Sequence, residues 1–368
     1  MKNLLLSAKL LLSVDTFAQK DELKVLKKIY AKESISDKDL QDYKTASDAL
    51  QTLATEESDK VYAKFYKTMY PTVVLTSKGA KATMQDQMNL YKPEFIKEYG
   101  VVIDETIEFE KKSGKKIYTD ELIAEKAEFK TAINTMAMSL NSASKFKEAS
   151  GFFYSLYTFD PKNEGKSLQN AAILAVQAQD YQLALKYYEE LAASDYLNNG
   201  IVYYAVNKAT GVEEELSSRD ERTKGIAIGV YEKPRDAKVS ANKPEILRIL
   251  ALLYVQNKDV EKAKATYANA RAIAPNDEDL KKGEFEVYYN SGYAGLAEEE
   301  QLVKDINASR ADKKKYDELM GKRKAMFMKV LPDFEKAYSI NPTDANVKSI
   351  LKVAYNVVGQ PEKATAIN

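Results

Sequence analysis

Residues 244–275, PEILRILALLYVQNKDVEKAKATYANARAIAP, constrain the fold more tightly than any other stretch of the chain. With Pro244 as the first position, Leu247, Leu250, Ala251 and Tyr254 fall at helical intervals on one segment, and Ala263, Tyr267 and Ala270 do so on the next. Pro244 suits a first helical turn, Asp259 can cap the second helix, and Pro275 follows its end. The small side chains at Ala251 and Ala263 let two helices cross closely, while Tyr254 and Tyr267 fill the space beside them. Such a hairpin cannot bury its apolar face alone, so the spacing predicts further copies stacked upon it.

The copies are present. Counting back from Pro161 gives Ile133, Met136, Ala137 and Leu140 on a first helix and Ala149, Phe153 and Leu156 on a second. Counting from Gly165 gives Leu168, Ala171, Ala172 and Ala175, then Ala184, Tyr188 and Leu191, with Tyr196 where proline stood. Near the C-terminus LKVAYNVVGQPEKA (351–364) aligns without a gap on LALLYVQNKDVEKA (250–263), and Phe334, Ala337 and Pro342 close the helix before it. These units resemble the tetratricopeptide (TPR) repeat, whose period is about 34 residues. The expected fold is all-α, a TPR-like helical-hairpin solenoid with a small β-hairpin insertion.

Around the repeats, residues 20–70 carry three helical patterns, on Leu23, Leu26 and Ile29, on Leu40, Tyr43, Leu50 and Leu53, and on Val61, Phe65 and Met69. Residues 71–92 read as polar loop, and a helix is expected from Pro93 to about Lys112, stopped by Gly114. In 201–243, IVYYAVNKATGVEEEL predicts a β-hairpin with Gly211 in its turn, or else an irregular loop. A short helix near SSRDERTKGIAIGV and a loop YEKPRDAKVSANK follow. After the first helix at 280–292 the expected second helix gives way to a charged helical excursion, which predicts a break or bend in the array. The organisation is thus a leader over 1–18, a helical cap region over 19–118, repeats over 119–200, the insertion over 201–243, repeats over 244–292, and the excursion with C-terminal repeats over 293–368.

The leader reading rests on MKNLLLSAKLLLSVDTFAQ. Lys2, the apolar run at 4–14 and small residues at Thr16 and Ala18 follow the order of a secretory signal cleaved before Gln19, although Lys9 and Asp15 interrupt it as in a plain amphipathic helix. No later stretch has the roughly 18 uninterrupted apolar residues of a membrane span. A resemblance points the same way. The strings QKDELKVLKKIY, FEKKSGKKIYTDEL, YYAVNKATGVEEE, YEKPRDAK and KKYDELMGKRKAMF look like landmarks of exported TPR proteins of Bacteroidota, and they run nearly end to end. That group carries further repeats between the positions of Tyr288 and Leu296. The resemblance implies architecture and export, with a periplasmic location, and carries no activity.

Chemistry is bounded by what is missing. There is no Cys, His or Trp among 368 residues, which removes thiolates, disulfides and the usual general base and metal ligand. Lys+Arg and Asp+Glu balance at 55 each, so no net field draws nucleic acid or an anionic membrane. Gly165, Lys166 and Ser167 imitate the end of a phosphate-binding loop, but Asp160 stands where a glycine is required. The acidic runs at 213–215 and 298–300 lack the alternating ligands of a calcium loop and read as solvated faces. Lys111, Lys112, Lys115, Lys116 and the lysines at 313–315 read likewise as solvated. Many of the 25 tyrosines occupy packing positions of the repeat, so most are expected in the core.

What remains is a surface. In stacked hairpins the first helix of each unit lines one side, which selects Asn134, Met138 and Asn141, then Gln169, Ile173 and Val176, then Arg248, Leu252 and Val255. Apolar anchors with amides and one cation suit an extended or helical peptide, and they differ from the lysine and asparagine set that grips a terminal carboxylate. The sequence therefore predicts a non-enzymatic protein-interaction scaffold without cofactor, metal or nucleic-acid partner. A binder of envelope polysaccharide, favoured by exposed tyrosines in the groove, and an enzyme built on Glu213, Glu214 and Glu215 are the alternatives.

Overall fold

The computed structural model describes residues 19–83, 86, 90, 92–216 and 218–367, so the leader expected over 1–18 lies outside the described residues. The chain divides into two compact units, one ending at Ala178 and one beginning at Gln179. Each is dominated by helices joined through short turns, and the fold is all-α and TPR-like.

The first unit contains α1 (19–30), α2 (Asp37–Leu53), α3 (Glu57–Thr68), α4 (Tyr70–Lys78), α5 (Pro93–Ser113), α6 (Thr119–Ser142), α7 (Phe146–Phe159) and α8 (Gly165–Gln177). Ser36 opens α2 with a capping box, its hydroxyl accepting from Asp39 N at 3.2 Å while Asp39 Oδ2 accepts from Ser36 N at 3.1 Å. The loop expected from residue 71 begins instead as α4. Pro71 lies in that helix's first turn, where its absent N–H has no intrahelical partner to lose, and Thr72 and Thr76 donate their hydroxyls back to Met69 O and Thr72 O. Among the repeat positions Ile133, Ala137, Ala149, Phe153 and Leu156 are buried. Met136 is not, at 44% exposure, because it lies about 100° around α6 from Ala137.

The core of this unit is aromatic, with Tyr43, Tyr62, Phe65, Tyr66, Tyr99, Tyr118 and Phe159 all buried. Glu110, at 0% exposure, sits among them. Gly114 (φ 70°) turns the chain after α5, and the Glu110 carboxylate then accepts from Ile117 N (2.9 Å), Tyr118 N (3.0 Å), Thr119 N (2.9 Å), Thr119 Oγ1 (2.6 Å) and Tyr62 OH (3.0 Å). A side chain near the end of α5 therefore satisfies the free amides that begin α6. Burial alone would raise this carboxyl, but the bonds from Thr119, Tyr118 and Tyr62 hold it below its ordinary value.

The second unit contains α9 (Tyr181–Ala193), α10 (Asp195–Asn199), β1 (Ile201–Asn207), β2 (Glu213–Leu216), α11 (Arg219–Ala227), β3 (Tyr231–Lys238), α12 (Lys243–Gln256), α13 (Val260–Ile273), α14 (Glu278–Ala294), α15 (Glu299–Ala308), α16 (Lys313–Ile340), α17 (Ala345–Val358) and α18 (Pro361–Ala366). Helix α9 packs on α12, so the segment between them is looped out and the helical neighbours resume beyond it. That segment forms a three-stranded antiparallel sheet in the order β2-β1-β3. The loop expected at YEKPRDAK is strand β3. Its proline is tolerated because β3 is an outer strand and the register shifts there, with Lys233 at φ 49°.

No break follows α14. It packs on α16, which packs on α17, while α15 is set aside against α16. Gly292 makes the α14 crossing possible, since a Cβ there would lie 2.9 Å from the Phe334 ring. Pro332 lies inside α16 and supplies no N–H to the carbonyl of Met328.

Three hairpins turn in the same way. Ser144 (φ 58°), Lys258 (φ 62°) and Gly359 (φ 85°) adopt the left-handed conformation after α6, α12 and α17. Each donates to the carbonyl three residues back, at Asn141, Val255 and Asn356, and the next amide reaches the carbonyl five back, at Leu140, Tyr254 and Tyr355. This Schellman arrangement satisfies the last carbonyls of the first helix. Gly359→Ala should lower unfolding stability by about 1 kcal/mol, while Lys258→Gly should raise it by about 0.5 kcal/mol, both read by urea denaturation. Glu110→Gln should cost about 2 to 3 kcal/mol. Because the folded carboxyl is held low, its contribution is present above the unfolded pKa and is lost as pH falls through the folded value. A series of denaturation curves from neutral to acid pH should show that slope in the wild type and a shallower one in Glu110→Gln.

Candidate interaction surface

In the first unit the surface positions lie on α6 and α8, two helices that both pack on α7. On α6, the buried stripe through Ile133 and Ala137 leaves Asn134 and Met138 exposed and Asn141 half-buried. On α8, burial of Leu168, Ala171, Ala172 and Ala175 turns Ile173 outward and leaves Gln169 and Val176 half-buried. Met138 is 50% exposed and Ile173 is 38% exposed.

In the second unit α12 repeats the arrangement. Leu247, Leu250, Ala251 and Tyr254 are buried, and Leu252 and Val255 face solvent. Arg248 is half-buried and already engaged. Its Nε and Nη2 donate to the two carboxylate oxygens of Glu245 at 2.6 and 2.7 Å, and that fork pushes the guanidinium pKa up. A ligand carboxylate approaching Arg248 would compete with Glu245, a partner three residues away that the sequence reading did not consider. A further outward apolar residue, Val353 on α17, occupies the place of Leu252 in the gapless alignment of 351–364 on 250–263. That alignment was the signal by which it could have been found. The surface positions belong to two separate units, and each face stands by itself.

The remaining chemistry-bearing motifs have local partners. Glu213 receives Arg235 Nε and Nη2 at 2.9 and 2.7 Å, which lowers its pKa, and Glu214 accepts from Asn207 Nδ2 and Tyr231 OH, both at 2.9 Å. The acidic strand is thus half of a set of cross-strand pairs. Glu299 holds Arg323 at 2.6 Å and Glu300 holds Lys304 at 2.6 Å. Gly165 and Ser167 are buried at the start of α8, where Ser167 Oγ donates to Glu164 at 2.8 Å. Among the described residues no cluster of three or more Asp or Glu could hold a metal ion, and no helix is long and apolar enough to cross a membrane. A cleft of about 360 Å³ lies between α14 and the end of α16, lined by Glu278, Lys281, Phe285, Ile340 and Asn341 among others.

No family model matches the sequence, and no curated protein matches it. Solved structures do. A tetratricopeptide repeat protein from Parabacteroides merdae is 15% identical over 92% of this chain and 100% of that one, with a TM-score of 0.24. A monomeric IFIT1 mutant with Gppp-AAAA is 14% identical over 90% of this chain, with a TM-score of 0.23. This chain spans 64% of that IFIT1 chain, less than two thirds of its length. BtubC from P. vanneervenii is 13% identical over 85% and 89%, with a TM-score of 0.22. At such identities the likeness is one of fold alone, and the reading of this chain rests on its own helices. If Met138, Ile173, Leu252 and Val255 serve a surface rather than a core, changing each singly to serine should move the unfolding free energy by no more than about 0.5 kcal/mol. Thermal and urea melts of the four variants check this.

Proposed function

We propose that the protein is a non-enzymatic interaction scaffold, exported to the periplasm, that holds a peptide or protein segment on the outward faces of its first helices. One observation carries the proposal. Exposed apolar side chains recur on α6, α8 and α12 at positions set by the repeat, each flanked by amides or by the Arg248–Glu245 pair. Apolar anchors supply affinity by leaving water, and the flanking polar groups fix orientation. Arg248 takes part as an ion pair, so it orients a neutral or dipolar group more readily than it captures a bare carboxylate. Among the described tyrosines only Tyr181 and Tyr293 are strongly exposed, and neither lies on α6, α8 or α12, which favours a polypeptide ligand on those faces.

The test is a pull-down from an envelope extract with the chain from Gln19 onward as bait, beside a variant with Asn134, Gln169 and Arg248 changed to alanine and a second with Ile173→Asp and Leu252→Asp. Capture of one defined protein by the wild type, lost from both variants, supports the faces as the binding site. Retention of that protein by both variants sinks the assignment. Export is tested separately by fractionation and N-terminal sequencing, with a mature chain beginning at Gln19 as the expected result.

A further inference from the structure

A row of three aromatic rings runs along α14. Phe285, Tyr289 and Tyr293 follow one another at intervals of four residues, and each such step advances roughly 6 Å along a helix, which sets the rings side by side. The Phe285 and Tyr289 centroids lie 5.8 Å apart with planes 13° from parallel, and those of Tyr289 and Tyr293 lie 6.1 Å apart at 19°. Tyr289 also meets the buried Phe334 ring edge-on at 6.2 Å, so the middle of the row is fixed to the core. Exposure rises along it. Phe285 and Tyr289 are half-buried, and Tyr293 is 61% exposed, beyond any other described tyrosine.

The row begins in the cleft between α14 and the end of α16. Phe285 and Ile340 are the apolar side chains of that cleft, and Glu278, Lys281, Lys282 and Glu286 supply its charges, which sum to zero. These four groups are uncommitted. Lys281 Nζ stands 3.7 Å from Glu278 and Lys282 Nζ stands 3.9 Å from Glu286, both too far for a hydrogen bond. Elsewhere in this unit Arg248 and Lys264 hold their carboxylates at 2.6 to 2.9 Å. Two ammonium groups and two carboxylates thus keep donors and acceptors open beside an aromatic ring. The volume of about 360 Å³ falls within the roughly 300–1,000 Å³ of small-ligand clefts.

We propose that the cleft and the ring row bind a neutral oligosaccharide, one sugar seated against Phe285 and the following sugars laid toward Tyr289 and Tyr293. A sugar ring has a flat apolar C–H face and a rim of hydroxyls, each of which both donates and accepts. The face takes an aromatic ring, and the rim takes ammonium donors and carboxylate acceptors together, through bonds of the stronger charge-assisted kind. An anionic chain would be repelled by Glu278 and Glu286 as much as it is drawn by the lysines. A peptide anchor would find little here, since Ile340 is only 7% exposed. The faces assigned to a peptide on α6, α8 and α12 use Met138, Ile173, Leu252 and Val255, none of them aromatic, so the α14 site differs in chemistry and its assignment does not rest on theirs.

The test is titration calorimetry of the full chain with neutral hexasaccharides of glucose, mannose, galactose and N-acetylglucosamine, beside hexagalacturonate and a decaproline peptide. At least one neutral hexasaccharide should bind, with an affinity that changes less than about twofold between about 0.05 and 0.5 M salt. Tyr293→Ala should weaken that binding about tenfold, the scale of one lost stacking partner, and Lys282→Ala with Glu286→Ala should do likewise. All three side chains are exposed, so circular dichroism and melting should stay unchanged. Binding of none of the four neutral sugars overturns the proposal. So does tighter binding of hexagalacturonate than of every neutral sugar, or undiminished binding by Tyr293→Ala. If decaproline binds instead and Tyr293→Ala abolishes it, the row is a peptide platform and the sugar assignment fails.

Discussion

The hairpins depend on a turn that most residues dislike. A helix that ends leaves carbonyls without partners, and a second helix packed beside it leaves little chain in which to satisfy them. The left-handed residue at Ser144, Lys258 and Gly359 solves both problems at once, reversing the chain while returning two amides to the first helix. Only then can α12 pack on α13 and α17 on α18, with Ala251, Ala263, Ala354 and Ala364 buried. The interior contacts are in this sense secondary to a backbone conformation fixed at one residue per hairpin.

Two buried charged groups join helices through hydrogen-bonded partners, whereas Arg271 Nε and Nη1 are buried without a hydrogen bond. In the first unit Glu110 takes amides from the start of α6 and a phenol from α3, so one carboxylate joins α3, α5 and α6. In the second, the buried Lys264 of α13 binds Asp333 of α16 at 2.7 and 2.9 Å and Glu261 at 2.9 Å. Breaking such a pair on one side strands a charge away from water, so these contacts specify which helices meet even where their net contribution is small.

The sequence revealed what has a period. Apolar spacing of three and four marked the buried faces of α8, α12, α13 and α17, and Pro93 with Gly114 marked both ends of α5. It hid what lacks one. Pro71 and Pro234 looked like breakers, yet one occupies a first helical turn and the other an outer strand at a register shift. Gly292 takes the role that alanine plays elsewhere at a crossing, which disguised the pairing of α14 with α16. On the candidate surface the apolar positions were legible from the repeat. The fork of Arg248 on Glu245 was not, because a side-chain pair three residues apart leaves no trace in a hydrophobic pattern.

The inserted sheet has two outer strands and hence two rows of backbone groups open to pairing, which in other settings invite a neighbour's strand. Here each row is spoiled. A strand arriving beside β3 would meet Pro234, which offers no donor, next to a residue turned to φ 49°. One arriving beside β2 would face three successive carboxylates in a strand of four residues. The chain can therefore carry a solvent-facing sheet on a helical body without seeding edge-to-edge polymerisation, and copies crowded on a common surface would remain separate molecules.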